Sequence, residues 1–451
     1  MLPIVTPEEM AAIDRDAPEP VEVLIGRAGA AVARHAIRMM GGSYGRRVVV
    51  VAGKGNNGND GRDAAARLRA RGVRVEIVDA ADAEGIRLPN VDLVVDAAYG
   101  TGFRGEYHAP DPLGAPVLAV DIPSGVNGQT GEAGDGAVTA DETVSFAALK
   151  PGLVLAPGRE RAGRVHVVDI GLDATRAHAH LVEASDVAHW LPTRPTETHK
   201  WRAAVWIVAG SPGMTGAAAL AAHGAQRAGA GYVRLGIPGA RTSDATAVPI
   251  EVVRTELPGS AWDSPVLEGL GRFKALVVGP GLGTEPATIA AVRRLVEEST
   301  IPSVVDGDGL TALGADVARY AHPLSVLTPH DGEYERLAGR LPGPDRIAAA
   351  RDLAATTGAT VLLKGPTTVV ADGEGRVLVS VTGDARLATA GTGDVLSGVI
   401  GSLLAQGLHP LRAAAAGAWL HGMASTLGPR RGLVAGDVAE HLPAVLDGLE
   451  A

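Results

Sequence analysis

The residues best suited to chemistry lie near the C-terminus, in Leu387-Ala-Thr-Ala-Gly391-Thr392-Gly393-Asp394-Val395-Leu396-Ser397-Gly398. Apolar pairs recur four apart after Asp394, as Val395/Leu396, Val399/Ile400 and Leu403/Leu404, which is the stripe of a helix laid on a core. The glycines fall where that helix begins. Unpaired N–H groups and the positive dipole end make an anion site there, and glycine lets a phosphate come close to the backbone. A carboxylate beside a phosphate repels it. Asp394 therefore reads as a base that takes a proton from a group being phosphorylated, with helix capping as its competing use.

Three stretches in the first half carry more polar groups than turns need: Asn56-Asn57-Gly58-Asn59-Asp60, Asp96-Ala-Ala-Tyr99-Gly100-Thr101-Gly102 and Asp121-Ile-Pro123-Ser124-Gly125. Turn chemistry would account for any one of them. Three together, each after an aliphatic run, gather amide and carboxylate oxygens suited to a hard cation. Gly53-x-Gly55-x-x-Gly58, with Asp79 about 20 residues on, also satisfies the dinucleotide fingerprint and would make an NAD(P)-dependent oxidoreductase. Two asparagines and an aspartate crowd the place where a pyrophosphate would lie on bare backbone, which weighs against that reading.

The elements that must position these groups alternate. Helix is expected over 7–40 with a break at Pro18 and Pro20, and again from Arg62 to Arg71. Strands are expected at Arg47–Ala52, Val73–Asp79, Asp92–Val95, Pro116–Val120, Glu142–Phe146 and Arg164–Val168. Trp190 to Thr196 reads as a linker or entry loop. A second series follows at Ala203–Val208, Ala275–Val278, Ser303–Val305, Ser325–Leu327 and Thr360–Lys364, each running into a polar loop. The fold class is α/β with two doubly wound units, the first a Rossmann-like three-layer sandwich, and ligands belong at the carboxyl ends of the strands.

The chain has 451 residues, 46% of them hydrophobic, with a net charge of −10 and no cysteine. Disulfides, cysteine-ligated zinc and thiol catalysis are excluded, and the acidic balance argues against nucleic-acid or anionic-membrane partners. No apolar run reaches spanning length and the first residues do not form a signal peptide, so a cytoplasmic location is expected.

The order Asn-Asn-Gly-x-Asp, Val-Asp-Ala-x-x-Gly and Asp-Ile-Pro-Ser-Gly resembles the NAD(P)H-hydrate epimerase family over residues 1–176, including the first helix with Met10, Ile13 and Asp14. The resemblance assigns the hydrate to Asn56, Asn57, Gly58, Asn59 and Asp60 and to Gly100, Thr101, Gly102, Phe103, Arg104, Gly105 and Glu106. It assigns potassium to Asn57, Asp96 and Ser124, and makes Asp121 a substrate contact and the acid/base. Lys54 replaces a usual proline and comes within reach of a substrate phosphate. Asn59 replaces a glycine, which asks for a left-handed backbone there.

In the second half, Asp-x-Asp, Thr-Pro-x-x-x-Glu, Lys-Gly-x-x-Thr and Gly-Thr-Gly-Asp in succession resemble the ribokinase-like fold, and within it the NAD(P)H-hydrate dehydratases, over 182–451. His330 discriminates, because kinases of this fold tend to carry asparagine there. The resemblance assigns the hydrate to Ala217, Gly281, His330 and Asp394, and the adenine nucleotide to Lys364, Gly365, Pro366, Thr367, Thr368 and Gly393. Asp394 is the base, and Glu333 with Asp308 hold Mg²⁺ through water. The implied function is repair of hydrated cofactors. R- and S-NAD(P)HX are interconverted, and S-NAD(P)HX (NADHX or NADPHX) is dehydrated at the expense of ADP, or ATP, releasing AMP and phosphate. A vitamin-precursor kinase with a non-catalytic N-terminal ligand-binding module is the runner-up. A homo-oligomer is expected through the apolar faces of the helices after Gly216 and Gly398.

Overall fold

The structure, a computed structural model, describes residues 1–241, 243 and 247–450. The chain forms two compact units, Leu2–His180 and Leu181–Ala451, the latter with Met1.

In the first unit, helices α1 (Pro7–Arg15) and α2 (Val21–Met39) precede strand β1 (Arg47–Ala52), helix α3 (Asn56–Ala70) and strand β2 (Arg74–Asp79). Strands β3 (Leu93–Ala97), β4 (Val117–Val120), β5 (Glu142–Phe146) and β6 (Arg164–Val168) complete it. Thr6 and Glu9 cap α1 reciprocally, and Pro20 stands just before α2, so the expected break at Pro18 and Pro20 separates α1 from α2. The sheet is parallel throughout in the order β2-β1-β3-β4-β5-β6. Alternation along β1 makes the layers: Val48 and Val50 join Leu24, Ala28, Val32 and Leu68 of α2 and α3, while Val49 and Val51 join the cluster on the other face. A β-carbon on Gly61 would stand 2.5 Å from that of Ala97, so its absence lets α3 lie close to β3.

Asn56 to Asp60 do not form a loop; they are the first turn of α3, which starts directly after the extended Gly55. Asn59 is helical, its side chain exposed, so the replacement of glycine there carries no left-handed cost.

The second unit opens with β7 (Ala204–Val208), α4 (Thr215–Arg227), β8 (Tyr232–Pro238), β9 (Val253–Leu257) and β10 (Ala275–Val278). It continues with β11 (Ser303–Val305), β12 (Ser325–Leu327), α5 (Asp331–Ala338), β13 (Thr360–Leu363), β14 (Thr368–Ala371) and β15 (Val377–Ser380). It ends with α6 (Thr392–Ala405), α7 (Pro410–Leu427) and α8 (Ala435–Glu450). Its strands lie in the order β15-β14-β13-β12-β11-β10-β7-β8-β9. They are parallel from β9 to β13, and β14 and β15 then fold back antiparallel. The sequence reading missed β8, β9 and this meander, and placed Thr368 in a loop where it opens β14.

Helices α4 and α6 pack backbone to backbone. A β-carbon on Gly398 would stand 1.9 Å from the Ala221 carbonyl oxygen, and one on Gly224 2.4 Å from that of Val395. Val395, Val399, Ile400 and Leu403 bury themselves there with Ala218, Ala221, Ala222 and Ala225. The apolar faces expected to drive oligomerisation are thus spent inside the unit. Among the described residues, no helix is long and apolar enough to cross a membrane.

Candidate active sites

In the first unit, a cavity of about 690 Å³ opens where β1, β3, β4 and β5 end. Asn56, Asn57 and Asp60 enter it from the first turn of α3, and Gly100, Thr101, Gly102 and Phe103 from the segment after β3. Asp14 and Arg15 of α1, Glu19, Lys54, Asp121 and Lys150 add the charged part of its lining. Asp121 follows β4 with φ +68°, a backbone state that costs a residue with a β-carbon about 1–3 kcal/mol. Its Oδ1 meets Lys150 Nζ at 2.5 Å, and its Oδ2 accepts from the Thr101 N–H at 3.3 Å.

Lys150 is 1% exposed and also donates to Ser145 Oγ and to the carbonyls of Phe146 and Ala148. Sequence reasoning missed it. The signal was a lone lysine inside the apolar stretch 146–155, since lysine is almost never fully buried without a partner. Burial, aided by the charges of Asp121, Asp63 and Asp14 and opposed by Lys150, pushes the Asp60 carboxyl up to about 8. Burial and Asp121 raise Asp14 as well, again against Lys150. The cavity therefore holds a neutral carboxylic acid, Asp60, near an ion-paired carboxylate, Asp121.

Behind the lining, Ser124 Oγ donates to Asp96 Oδ1 at 2.7 Å, and the Ser124 N–H donates to Oδ2 at 2.8 Å. Burial lifts Asp96 to about 6 against these bonds. Both amide atoms of Asn57 and the hydroxyl of Thr101 are buried without a partner. Several predicted residues stay apart from the cavity. Gly58 is buried where a β-carbon would strike the Gly53 carbonyl, and Asn59, Arg104, Gly105 and Glu106 are exposed outside the lining.

In the second unit, Asp394 sits in the first turn of α6 behind Gly391, which adopts φ +90°. Burial, then Asp306, lifts its carboxyl to about 6, with Asp308 and Glu333 adding and Lys364 opposing. Those neighbours form one connected group. Lys364 Nζ, at the end of β13, lies 2.9 Å from Asp306 Oδ1 and 3.4 Å from Glu333 Oε2. Ser397 of α6 and Thr328 donate to Asp306 at 2.7 and 2.8 Å. Burial alone would raise Asp306, but the charge of Lys364 and these bonds hold it below the usual carboxylate range. A β-carbon on Gly393 would lie 3.7 Å from Lys364 Nζ, so the glycine brings the helix start against the ammonium.

Asp306, the first aspartate of Asp306-Gly-Asp308, thus ties the start of α6 to the sheet through Ser397. Asp308 accepts from the Gly283 N–H at 2.8 Å, and Gly281 faces Ala217, the β-carbon it lacks falling 3.1 Å from that of Ala217. His330 caps α5: Nδ1 accepts from the N–H groups of Gly332 and Glu333, which leaves the proton on Nε2 of a ring 56% exposed. Gly365 and Pro366 are exposed, Thr367 is buried, and Thr368 is half-buried at the start of β14.

A family model described as NAD(P)H-hydrate dehydratase matches residues 205–445, and one described as YjeF-related protein N-terminus matches 21–85 and 79–152. A bifunctional NAD(P)H-hydrate repair enzyme of Moorella thermoacetica is 37% identical over 99% of this chain and 97% of its own length. Its counterpart in Mycobacterium tuberculosis is 40% identical over 85% of this chain and 84% of its own. Among solved structures, an ADP/ATP-dependent NAD(P)H-hydrate dehydratase from Bacillus subtilis, co-crystallised with ATP/Mg²⁺, matches with a TM-score of 0.53 at 28% identity. It covers 59% of this chain and 97% of that one. A ribokinase-like superfamily protein from Enterococcus faecalis shares the fold, with a TM-score of 0.54 at 19% identity over 60% of this chain and 96% of that one.

Proposed function

The chain belongs to the bifunctional NAD(P)H-hydrate repair enzymes, and we propose that its first unit epimerises hydrated NADH and NADPH while its second dehydrates them with an adenine nucleotide. The observation that carries the reading is Asp394, a carboxylate lifted to about 6 by burial and acidic neighbours at the N-terminus of α6.

Hydroxide leaves poorly, so the second site first converts it to a phosphate ester. Asp394 takes the proton of the ring hydroxyl, whose oxygen attacks the terminal phosphoryl of ADP and displaces AMP. The N–H groups at Gly391 to Gly393 balance charge on the phosphoryl oxygens. The ring nitrogen's lone pair then expels phosphate, which takes a proton from the neighbouring carbon, and the dihydronicotinamide is restored. Ala217 and Gly281 leave room for the ring, and His330 Nε2–H donates to the substrate. Gly365 and Pro366 border the nucleotide, with Thr367 and Thr368 shaping the turn beneath it. Glu333 Oε2 already accepts from the His330 backbone N–H at 2.9 Å and faces Lys364, so Glu333 and Asp308 would hold magnesium through water rather than directly. No step is assigned to a protein-held magnesium.

In the first site, Asp121 takes the hydroxyl proton as the ring carbon–nitrogen bond opens, and protonated Asp60 supplies the proton that the nitrogen accepts. Re-closure on the other face reverses both transfers. Asn57, Asp96 and Ser124 fit a potassium ion, because the Asn57 carbonyl oxygen is buried without a donor and Asp96 is a carboxylate without a cation. The ion would supply positive charge that fixes the Gly100–Thr101 segment. A homo-oligomer would assemble through surfaces other than α4 and α6.

The test is incubation with mixed hydrates, ADP, Mg²⁺ and K⁺ while following the absorbance of reduced nicotinamide. Recovery with free phosphate is expected for both epimers. A stable phosphorylated product would instead favour the vitamin-precursor kinase, and recovery of only one epimer would remove the epimerase role.

A further inference from the structure

Three side chains on the first unit meet away from its cavity. His35 lies near the end of α2, Glu142 opens β5, and His166 stands on β6. One ring nitrogen each of His35 and His166 and one carboxylate oxygen of Glu142 all lie within 4.8 Å of one another, and all three side chains are partly buried. We propose that these residues form a binding site for a transition-metal ion of the zinc class, which Arg38 guards when no ion is bound.

The position of Arg38 locates the site. Its Nη2 lies 2.6 Å from His35 Nδ1, 3.2 Å from Glu142 Oε2 and 3.5 Å from His166 Nε2, so one cationic nitrogen stands where all three ligand atoms point. Arginine only donates, so His35 Nδ1 presents its lone pair to that point. His166 Nε2 lies 3.0 Å from Glu142 Oε2. It turns its lone pair inward once its proton moves to Nδ1, with no net proton exchange.

Zinc bonds of about 2.0–2.1 Å place tetrahedral ligand atoms roughly 3.3 Å apart. The Glu142–His166 separation is already 3.0 Å and that of His35–Glu142 is 3.9 Å, while the two imidazoles lie within 4.8 Å of each other, so closing the group onto an ion takes a contraction of at most about 1.5 Å. Two imidazoles and one carboxylate suit zinc, cobalt or nickel rather than magnesium or calcium. The Arg38 side chain is 55% exposed and can turn to water, leaving a fourth position open.

The place in the fold makes this ion structural. Glu142 stands at the amino end of β5, opposite the end that reaches the cavity through Phe146. An ion there ties the last turns of α2 to β5 and β6, while the first turns of α2 supply Val21, Leu24 and Ile25 to the cavity wall.

The full chain, stripped with a chelator and kept in excess Mg²⁺ without nucleotide, is titrated with Co²⁺ and Zn²⁺. Visible absorbance and thermal midpoint are followed. One equivalent is expected to give a tetrahedral Co²⁺ band that Zn²⁺ abolishes. Arg38→Ala keeps every ligand and removes the guarding charge, so it should bind at least about 10-fold more tightly, and His166→Gln about 100-fold more weakly. If Arg38→Ala shows neither a Co²⁺ band nor a Zn²⁺-dependent rise in midpoint, the group is only an arginine-centred ion-pair network and the proposal falls. Wild-type affinity in a folded His166→Gln protein overturns it equally.

Discussion

Replacing Lys150 with methionine isolates what the buried ammonium does for the first site. The side chain is 1% exposed and about as long as methionine, so packing changes little. Its other acceptors keep partners: Phe146 O accepts from the Ala148 N–H at 2.7 Å, and Ala148 O from Ser145 Oγ at 3.0 Å. Only Asp121 is left uncompensated, with the 3.3 Å bond from Thr101 as its remaining support. Removing one partner of a buried ion pair costs about 3–5 kcal/mol. Asp121 lines a cavity that water can enter, so the cost here should fall near the lower end, about 3 kcal/mol.

The full chain supplies its own control. After incubation at rising temperature, epimerisation of the R-hydrate should be lost well before ADP-dependent dehydration of the S-hydrate. At permissive temperature the epimerisation rate should fall at least about 100-fold, as for loss of a positioned acid/base. Adding Asp121→Asn removes the orphaned charge and should return stability to within about 1 kcal/mol of the parent without returning activity. If Lys150→Met epimerises at the parental rate and is as stable, the ion pair neither anchors Asp121 nor serves the chemistry.

Asp394→Asn should lower dehydration by about two to four orders of magnitude with epimerisation intact, read as phosphate release from S-hydrate and ADP. In the parent, the dehydration rate should drop about tenfold per pH unit below about 6, where Asp394 takes up its proton. Asp60 is raised in the folded chain from 3.8 to about 8, so its contribution to stability is complete below pH 3.8 and is lost as pH rises toward 8. Asp60→Asn should flatten that fall in chemical denaturation across pH 5 to 8; an unchanged slope would mean that Asp60 ionises freely. Gly398→Ala puts a β-carbon 1.9 Å from the Ala221 carbonyl, which forces α4 and α6 apart by over an ångström. A loss of about 1–3 kcal/mol or more and about 100-fold in dehydration should follow, whereas Gly436→Ala, with open space around it, should be neutral or stabilising. Asn57→Ala should weaken the potassium dependence of epimerisation, and unaltered dependence would remove Asn57 from the ion's ligands.

Legible in the sequence were the features that depend on local pattern. Valine runs followed by polar turns announce parallel strands with ligand groups at their carboxyl ends, and the glycines before Asp394 announce a helix start that welcomes phosphate. The antiparallel meander after Leu363 was not legible, because Val369-Val370-Ala371 looks like any short apolar run until a partner strand is chosen. Nor was the start of α3 at Asn56. Asparagine and glycine favour turns in isolation, and only the close approach of Gly58 to the Gly53 carbonyl and of Gly61 to Ala97 draws them into a helix.

The chemistry divides in the same way. Sequence supplied the residue types, Asp121, Asp60, Asp394 and Lys364, but a carboxyl's proton affinity is set by burial and by charges within a few ångströms. Those charges come from distant positions: Lys150 reaches Asp121 across 29 residues, and Ser397 reaches Asp306 across 91. Only the folded sheets bring such pairs together, so which carboxylate keeps its proton and which gives it up is decided by the tertiary structure.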